Sequence, residues 1–277
     1  MYSPTSGRRC AGLNKRSAPL FTLLETLFQD PLYFLEYSLY RIPAVLIALV
    51  LHEWAHGYAA WRLGDPTAKM MGRLSLNPLR HLDPLGTVMM FLLGFGWAKP
   101  VPINPRYFKR PRRDDLIVSL AGIAMNLLLF LVFTLLMVLL HLLLWRPEVL
   151  AYYSVVELLG FQYDYIQYIL AGYGHEWDAL FARPELLWAL RLCAQISMVN
   201  LYIALFNLLP VPPLDGSHVL NGVLLRRNPF VSEKVARIGM AVLLLLSFSG
   251  VLGRGLSFVA DGLQAGILSL ISMAFGV

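Results

Sequence analysis

His52, Glu53 and His56 stand at the spacing H-E-x-x-H inside an otherwise apolar run. In a helix, positions i and i+4 share one face, so both imidazoles can reach a single metal ion. The carboxylate beside the first histidine then falls near that ion and can take a proton from bound water. Ionisable side chains in an apolar helix are costly, which makes them functional candidates by default. A pair of interhelical hydrogen-bonding histidines is the other reading. Two histidines and a water leave a tetrahedral zinc ion one ligand short. His81 sits in a loop, His141 near the far end of its helix and His175 in a polar insertion. Asp215 lies in the run Asn207 to Gly216, with His218 close behind, after Pro210, Pro212 and Pro213. Those prolines bar a regular helix. An unwound segment at membrane depth persists only when packed in protein or lining a polar cavity. Asp215 is the favoured third ligand, and His218 stays open.

The elements that must carry these residues are helices. The motif helix runs from Ile42 to Trp61 and stops at Gly64-Asp65-Pro66. Residues 20–40 are amphipathic and aromatic, broken at Asp30-Pro31, and read first as an interfacial helix, second as a span. Residues 84–95 are apolar but too short for a full span and suggest a re-entrant segment. Residues 96–103, with Pro100 and Pro102 at alternate positions, read as an extended hairpin or loop. Residues 116–145 and 185–209 read as transmembrane helices. The C-terminal part is apolar again from about Ile238, and Gly253-Arg254-Gly255 is expected to divide it. The fold class is therefore an all-α polytopic membrane protein, with about five to six transmembrane or re-entrant helices and a small extended hairpin near 96–103. The expected organisation is a disordered basic tail over 1–19, the segment 20–40, a core over 41–235 with an external insertion at 146–184, and C-terminal spans over 236–277. No cleaved signal peptide is expected, since Glu25 breaks the first apolar stretch and no small-residue cleavage site follows.

Composition agrees. Of 277 residues, 57% are hydrophobic and 14% charged, against about 45–50% and 25% in a soluble domain. That excludes an ordinary soluble or disordered chain and requires a bilayer as second solvent. The net charge of +6 is carried between hydrophobic runs, so it reads as cytoplasmic-loop charge and contact with anionic headgroups, not as nucleic-acid binding. Cys10 and Cys193 are far apart and form no CxxC, so neither a disulfide framework nor a cysteine metal site is supported.

Charge also sets the topology. Residues 62–113 hold ten Lys/Arg and two Asp, 146–184 two Arg and five acids, and 210–237 four Lys/Arg and two acids. The positive-inside rule puts the first and third inside and the second outside. His52 and His56 then lie roughly 9–15 Å from the inner end of their helix, and Asn126 at about 15 Å depth, at 1.5 Å per residue. Asp215 follows a helix returning to the same side. All meet in the cytoplasmic half of the bilayer.

The ordered set of motifs resembles the site-2 proteases, intramembrane zinc metalloproteases, over about residues 38–235. It comprises HEWAH at 52–56, Gly64-Asp65-Pro66-Thr67, Gly72 to Pro78, His81 to Gly86, Phe95 to Pro102, Gly122 to Asn126, and Asn207 to Gly216. It is most similar to the compact bacterial branch, which has neither PDZ nor CBS module. Ile123 replaces a common proline and Trp54 a smaller aromatic, and neither coincides with an expected ligand.

The resemblance implies one Zn²⁺ held by His52, His56 and Asp215, with Glu53 catalytic. It implies that Asn126 and Asn207 line the site or contact substrate or the oxyanion. It further implies that 96–103 presents substrate as an extended strand. The expected partners are a transmembrane protein substrate and the lipid bilayer, with no nucleic acid, in the cell inner (cytoplasmic) membrane. The mechanism expected is hydrolysis by a zinc-bound water that Glu53 deprotonates. A catalytically inactive membrane chaperone or an ion-translocating protein of the same fold is the alternative.

Overall fold

A computed structural model describes residues 27–29, 31–87, 98–152, 180–224 and 232–275. The expected tail 1–19, most of the re-entrant segment 84–95 and the middle of the insertion 146–184 lie outside the described residues. What is described is all-α, with no strand ladder among the described residues.

The first long helix, α1 (Pro31–Arg62), carries the H-E-x-x-H motif and runs straight through Pro43. The sequence reading started it at Ile42, with 20–40 set apart first as an interfacial helix and second as a span. Pro43 costs one backbone hydrogen bond within a continuing helix. Residues 31–40 therefore form the first turns of α1, and Phe34–Arg62 is long and apolar enough to cross a membrane. A turn and the short α2 (Thr67–Met70) follow.

The second long helix, α3 (Pro111–Leu144), begins five residues earlier than expected. Proline fits the first turn because its missing N–H is not needed there, and Asp114 Oδ2 accepts the Arg110 N–H at 2.9 Å. A short α4 (Pro147–Tyr152) precedes the third long helix, α5 (Leu187–Asn207), which enters through a single tight turn at Pro184–Leu186. Past the proline run comes α6 (Asp215–Val219), then α7 (Glu233–Phe248) and α8 (Val251–Phe275). The C-terminal break falls at Ser249-Gly250, not at 253–255. Gly250 adopts φ 71°, a region open to glycine, whereas Gly253 and Gly255 stay helical. The helices α7 and α8 meet at 78°. The described residues thus supply three spanning helices, or four if this bent pair counts as one.

Helices α1, α3 and α5 pack against one another, α6 sits on α3, and α8 leans on α5. Apolar side chains cannot drive helices together inside lipid, so small residues and polar contacts must do it. Ala44 and Ala48 of α1 meet Ile196 and Val199 of α5, all buried. Thr134 of α3 and Ser197 of α5 share a hydrogen bond of 2.7 Å. Leu128, Leu131, Val132 and Leu143 of α3 face outward, the side that hydrocarbon must cover.

Among the described residues, 98–104 has no helix or strand ladder and reads as the loop alternative, residues 96–97 lying outside the described residues. Its one bridge is Ala98 to Leu82. Its prolines cannot donate to a ladder, so side chains and loops hold it. The Arg73 guanidinium donates to the Lys99 carbonyl at 2.7 Å, and the Lys99 N–H donates to the His81 carbonyl at 2.8 Å. Fully buried Asp65 accepts from the Asn104 N–H at 2.7 Å and from the Thr67 N–H at 2.9 Å.

Candidate metal centre

One turn of α1 places His52 and His56 on the face toward α3, both buried, with their rings edge to face. The rings are oriented from behind. His52 Nδ1 lies 2.5 Å from Asn126 Oδ1, and His56 Nδ1 lies 2.7 Å from the Val118 carbonyl, both on α3. A carbonyl oxygen only accepts, so His56 carries its proton on Nδ1. Asn126 donates from Nδ2 to Asn200 Oδ1 at 2.7 Å and to the Ala48 carbonyl at 3.3 Å. Its Oδ1 therefore faces His52, whose Nδ1 is likewise protonated. Both Nε2 atoms keep their lone pairs and point the same way.

Asp215 arrives from the far side. The proline run turns the chain after α5, and Gly216 sits so close to the end of that helix that a Cβ would lie 2.3 Å from the Leu208 carbonyl oxygen. The turn is tight enough to aim Asp215 back at α1. Its Oδ2 lies 3.3 Å from each histidine Nε2, and the two Nε2 atoms are 3.0 Å apart. Among the described residues, these three are the only group of at least three ligating side chains within reach of one ion.

The donor set fits a metal. Two imidazole nitrogens and a carboxylate oxygen converge within 3.3 Å of one another, and Asp215 Oδ2 is buried without a hydrogen-bond partner. A carboxylate oxygen so placed is costly unless a cation sits against it. Bonds of about 2.0–2.1 Å in a tetrahedron give ligand separations of about 3.4 Å, close to those observed. Gly122 of α3 leaves room beneath the rings, where a Cβ would come 2.4 Å from His56 Nε2.

Glu53, half-buried beside His52, accepts the Val101 N–H at 2.8 Å on Oε2. The extended segment thus meets the motif helix through a backbone amide. Asn207 turns back on its own helix and donates to the Ile203 carbonyl at 3.0 Å. The other histidines serve elsewhere. His218 pairs with Asp115 at 2.9 Å, tying α6 to the start of α3. His81 Nε2 lies 2.7 Å from the Ser75 carbonyl, and His141 Nδ1 accepts from the Trp145 indole at 2.9 Å. His175 lies outside the described residues.

The family model described as peptidase family M50 matches residues 40–249. The chain belongs to that family. It is the site-2 protease family that the motifs resemble, so this M50 chain is a membrane-spanning member of a peptidase family, and its metal centre lies within the matched region. The Bacillus subtilis protein provisionally named zinc metalloprotease YwhC is 38% identical over 191 residues, covering 68% of this chain and 72% of the relative. Two proteins provisionally named zinc metalloprotease Rip2 are also similar. The Mycolicibacterium smegmatis protein is 32% identical over 136 residues, 47% of this chain and 51% of its own. The Mycobacterium tuberculosis protein is 38% identical over 90 residues, 30% of this chain and 34% of its own. No solved structure gives a significant match.

The sequence reading missed Asn200 and the Val101 amide, and it named Gly122 only as part of the Gly122 to Asn126 motif, without a role. Asn200 could have been found from the cost of an amide in an apolar helix. A glycine under two rings and a backbone donor leave no such trace.

Proposed function

We propose that this M50 chain is a zinc endopeptidase that cleaves peptide bonds within or near transmembrane segments of membrane proteins. The observation that carries this reading is the convergence of His52, His56 and Asp215, at 3.0–3.3 Å, inside a bundle of spanning helices. Two imidazoles and one carboxylate converging on one point suit zinc. When bound, zinc supplies a Lewis acid that makes water a nucleophile near neutral pH and polarises the scissile carbonyl.

The chain's own groups do the rest. Glu53 takes the proton of the attacking water and passes it to the departing amine as the peptide C–N bond breaks. The Val101 N–H fixes the Glu53 carboxylate beside the paired imidazoles. Asn126, occupied on both ends of its amide, supports His52 and leaves oxyanion contact to other groups. His52 and His56 are buried, which strengthens the charge interactions around them. His56 lies six residues before the end of α1, about 9 Å at the helical rise. The charge balance of the loops supports a position in the cytoplasmic half of the inner membrane. A substrate helix must unwind to expose its amide, and the extended 98–104 segment offers an edge for strand pairing.

The test uses the full chain purified in detergent. It should bind about one zinc per chain and cleave some of a panel of single-span peptides, whereas Asp215→Ala should lose about 10²-fold or more in zinc affinity and most activity. Full zinc occupancy in Asp215→Ala would move the third ligand elsewhere.

Val101→Pro removes the N–H that Glu53 accepts while keeping a buried apolar residue. A hydrogen bond to a charged group contributes about 1.5–3 kcal/mol, or about 10–100-fold. A loss of kcat of that size is expected with zinc content unchanged. Native kcat in Val101→Pro would show that the amide does not hold the base.

A further inference from the structure

A side-chain amide has an accepting and a donating end, and a half-turn about its last bond exchanges them. At Asn126 that choice decides whether His52 can bind a metal. With Oδ1 toward the ring, Nδ1 carries the proton and Nε2 keeps its lone pair. With Nδ2 toward the ring, Nδ1 must accept, the proton moves to Nε2, and the metal loses a ligand. Two acceptors oppose that half-turn, the Ala48 carbonyl at 3.3 Å and Asn200 Oδ1 at 2.7 Å. The shorter contact comes from α5. Asn200 is itself oriented, since its Nδ2 donates to the Ile196 carbonyl at 2.8 Å, one turn back. Its Oδ1 can therefore only face Asn126. Asn126 and Asn200 are both fully buried, so no water competes for either amide.

We propose that Asn200 is a positioning residue for the metal centre. It locks the Asn126 amide in one orientation, and through it His52 in the tautomer that ligates. The chain of contacts crosses three helices, from the Ile196 carbonyl through Asn200 on α5 and Asn126 on α3 to His52 on α1. Asn200 touches neither metal nor substrate. It acts by making one of two near-isosteric amide orientations expensive. Outer partners of a ligating histidine affect metal affinity in this way because they fix which nitrogen is free and where it points. This rests on the reading of His52, His56 and Asp215 as zinc ligands.

The experiment measures the zinc dissociation constant of the full chain in detergent, by competition with a chelator. Asn200→Leu keeps the volume and removes both hydrogen bonds, and should weaken zinc binding about 10–100-fold. Asn200→Asp is the conservative rescue. Buried, its carboxyl is neutral, its O–H donates to the Ile196 carbonyl, and its other oxygen accepts from Asn126, so zinc affinity should stay within a few-fold of native. Histidine-selective ¹⁵N NMR of the zinc-free chain should show His52 protonated on Nδ1 in the native and aspartate forms, and mixed tautomers in the leucine form. If Asn200→Leu does not fold, Asn200→Ser replaces it, since its hydroxyl can return to the Ile196 carbonyl but is too short to reach Asn126. Native zinc affinity in a folded leucine or serine variant overturns the proposal, and so does equal weakening in Asn200→Asp. His52→Ala separates the two readings. Zinc retained there sinks the metal centre itself, whereas zinc lost there but kept in Asn200→Leu sinks only the role of Asn200.

Discussion

Replacing Glu53 with glutamine is expected to slow peptide cleavage by about 10²–10⁴-fold, the range for losing a general base, and to leave zinc affinity nearly native. Glutamine has the shape of glutamate and can still accept the Val101 N–H through its amide oxygen. It cannot accept a proton from water and return it to the leaving amine. Glu53 is not among the three converging ligands, so its replacement need not disturb them. Paired measurements of zinc content and single-turnover cleavage separate these roles. Loss of zinc together with activity would make Glu53 a ligand or a structural prop. Undiminished cleavage would remove it from the chemistry and favour another base.

The second large effect is expected at Gly122. A methyl there would lie 2.4 Å from His56 Nε2 and 2.7 Å from His52 Cε1, inside van der Waals contact with both rings. One ring must leave its place, and with it one ligand. Gly122→Ala should therefore reduce zinc affinity about 10²-fold or more, while the helix gains about 0.5–1 kcal/mol of intrinsic propensity. The expected signature is a chain that stays folded and no longer binds zinc. Gly253→Ala is the control. It lies in α8 with nothing within 4 Å of the added methyl, so it should change neither zinc binding nor cleavage. Native zinc affinity in Gly122→Ala would mean that α3 yields easily at this point, and that the glycine does not define the site.

The convergence of the two histidines was legible because metal chemistry demands a spacing, and a helix converts that spacing into a shared face. Asp215 was legible from the proline run, which forces an unwound segment where a buried carboxylate needs a reason. Asn126 was named for its motif, yet the sequence could not say which way its amide points. That depends on Ala48 and Asn200, which belong to two other helices. The beginning of α1 was placed at Ile42 because the amphipathic, aromatic run 20–40 reads as a separate segment, whereas the helix runs from Pro31 through Pro43 and packs on α5. The break before α8 was placed at the wrong glycines for a related reason. Several glycines compete in that stretch, and only the backbone angle of Gly250 distinguishes the one that turns.

The His52–His56–Asp215 cluster also bears on how the chain assembles. Two ligands enter the membrane with α1, early in synthesis, and the third follows only after α3 and α5 have inserted and the proline turn has closed. If these residues hold the ion as proposed, a chain still emerging from the ribosome carries an incomplete set and cannot yet bind it tightly. Once complete, the ion ties the first helix to the segment beyond the third. Free zinc at a hundredfold over its dissociation constant then adds about 2.7 kcal/mol to the assembled state. Under the proposed reading the metal would act as a late-closing clasp, and its supply as a checkpoint on maturation as well as a requirement for turnover.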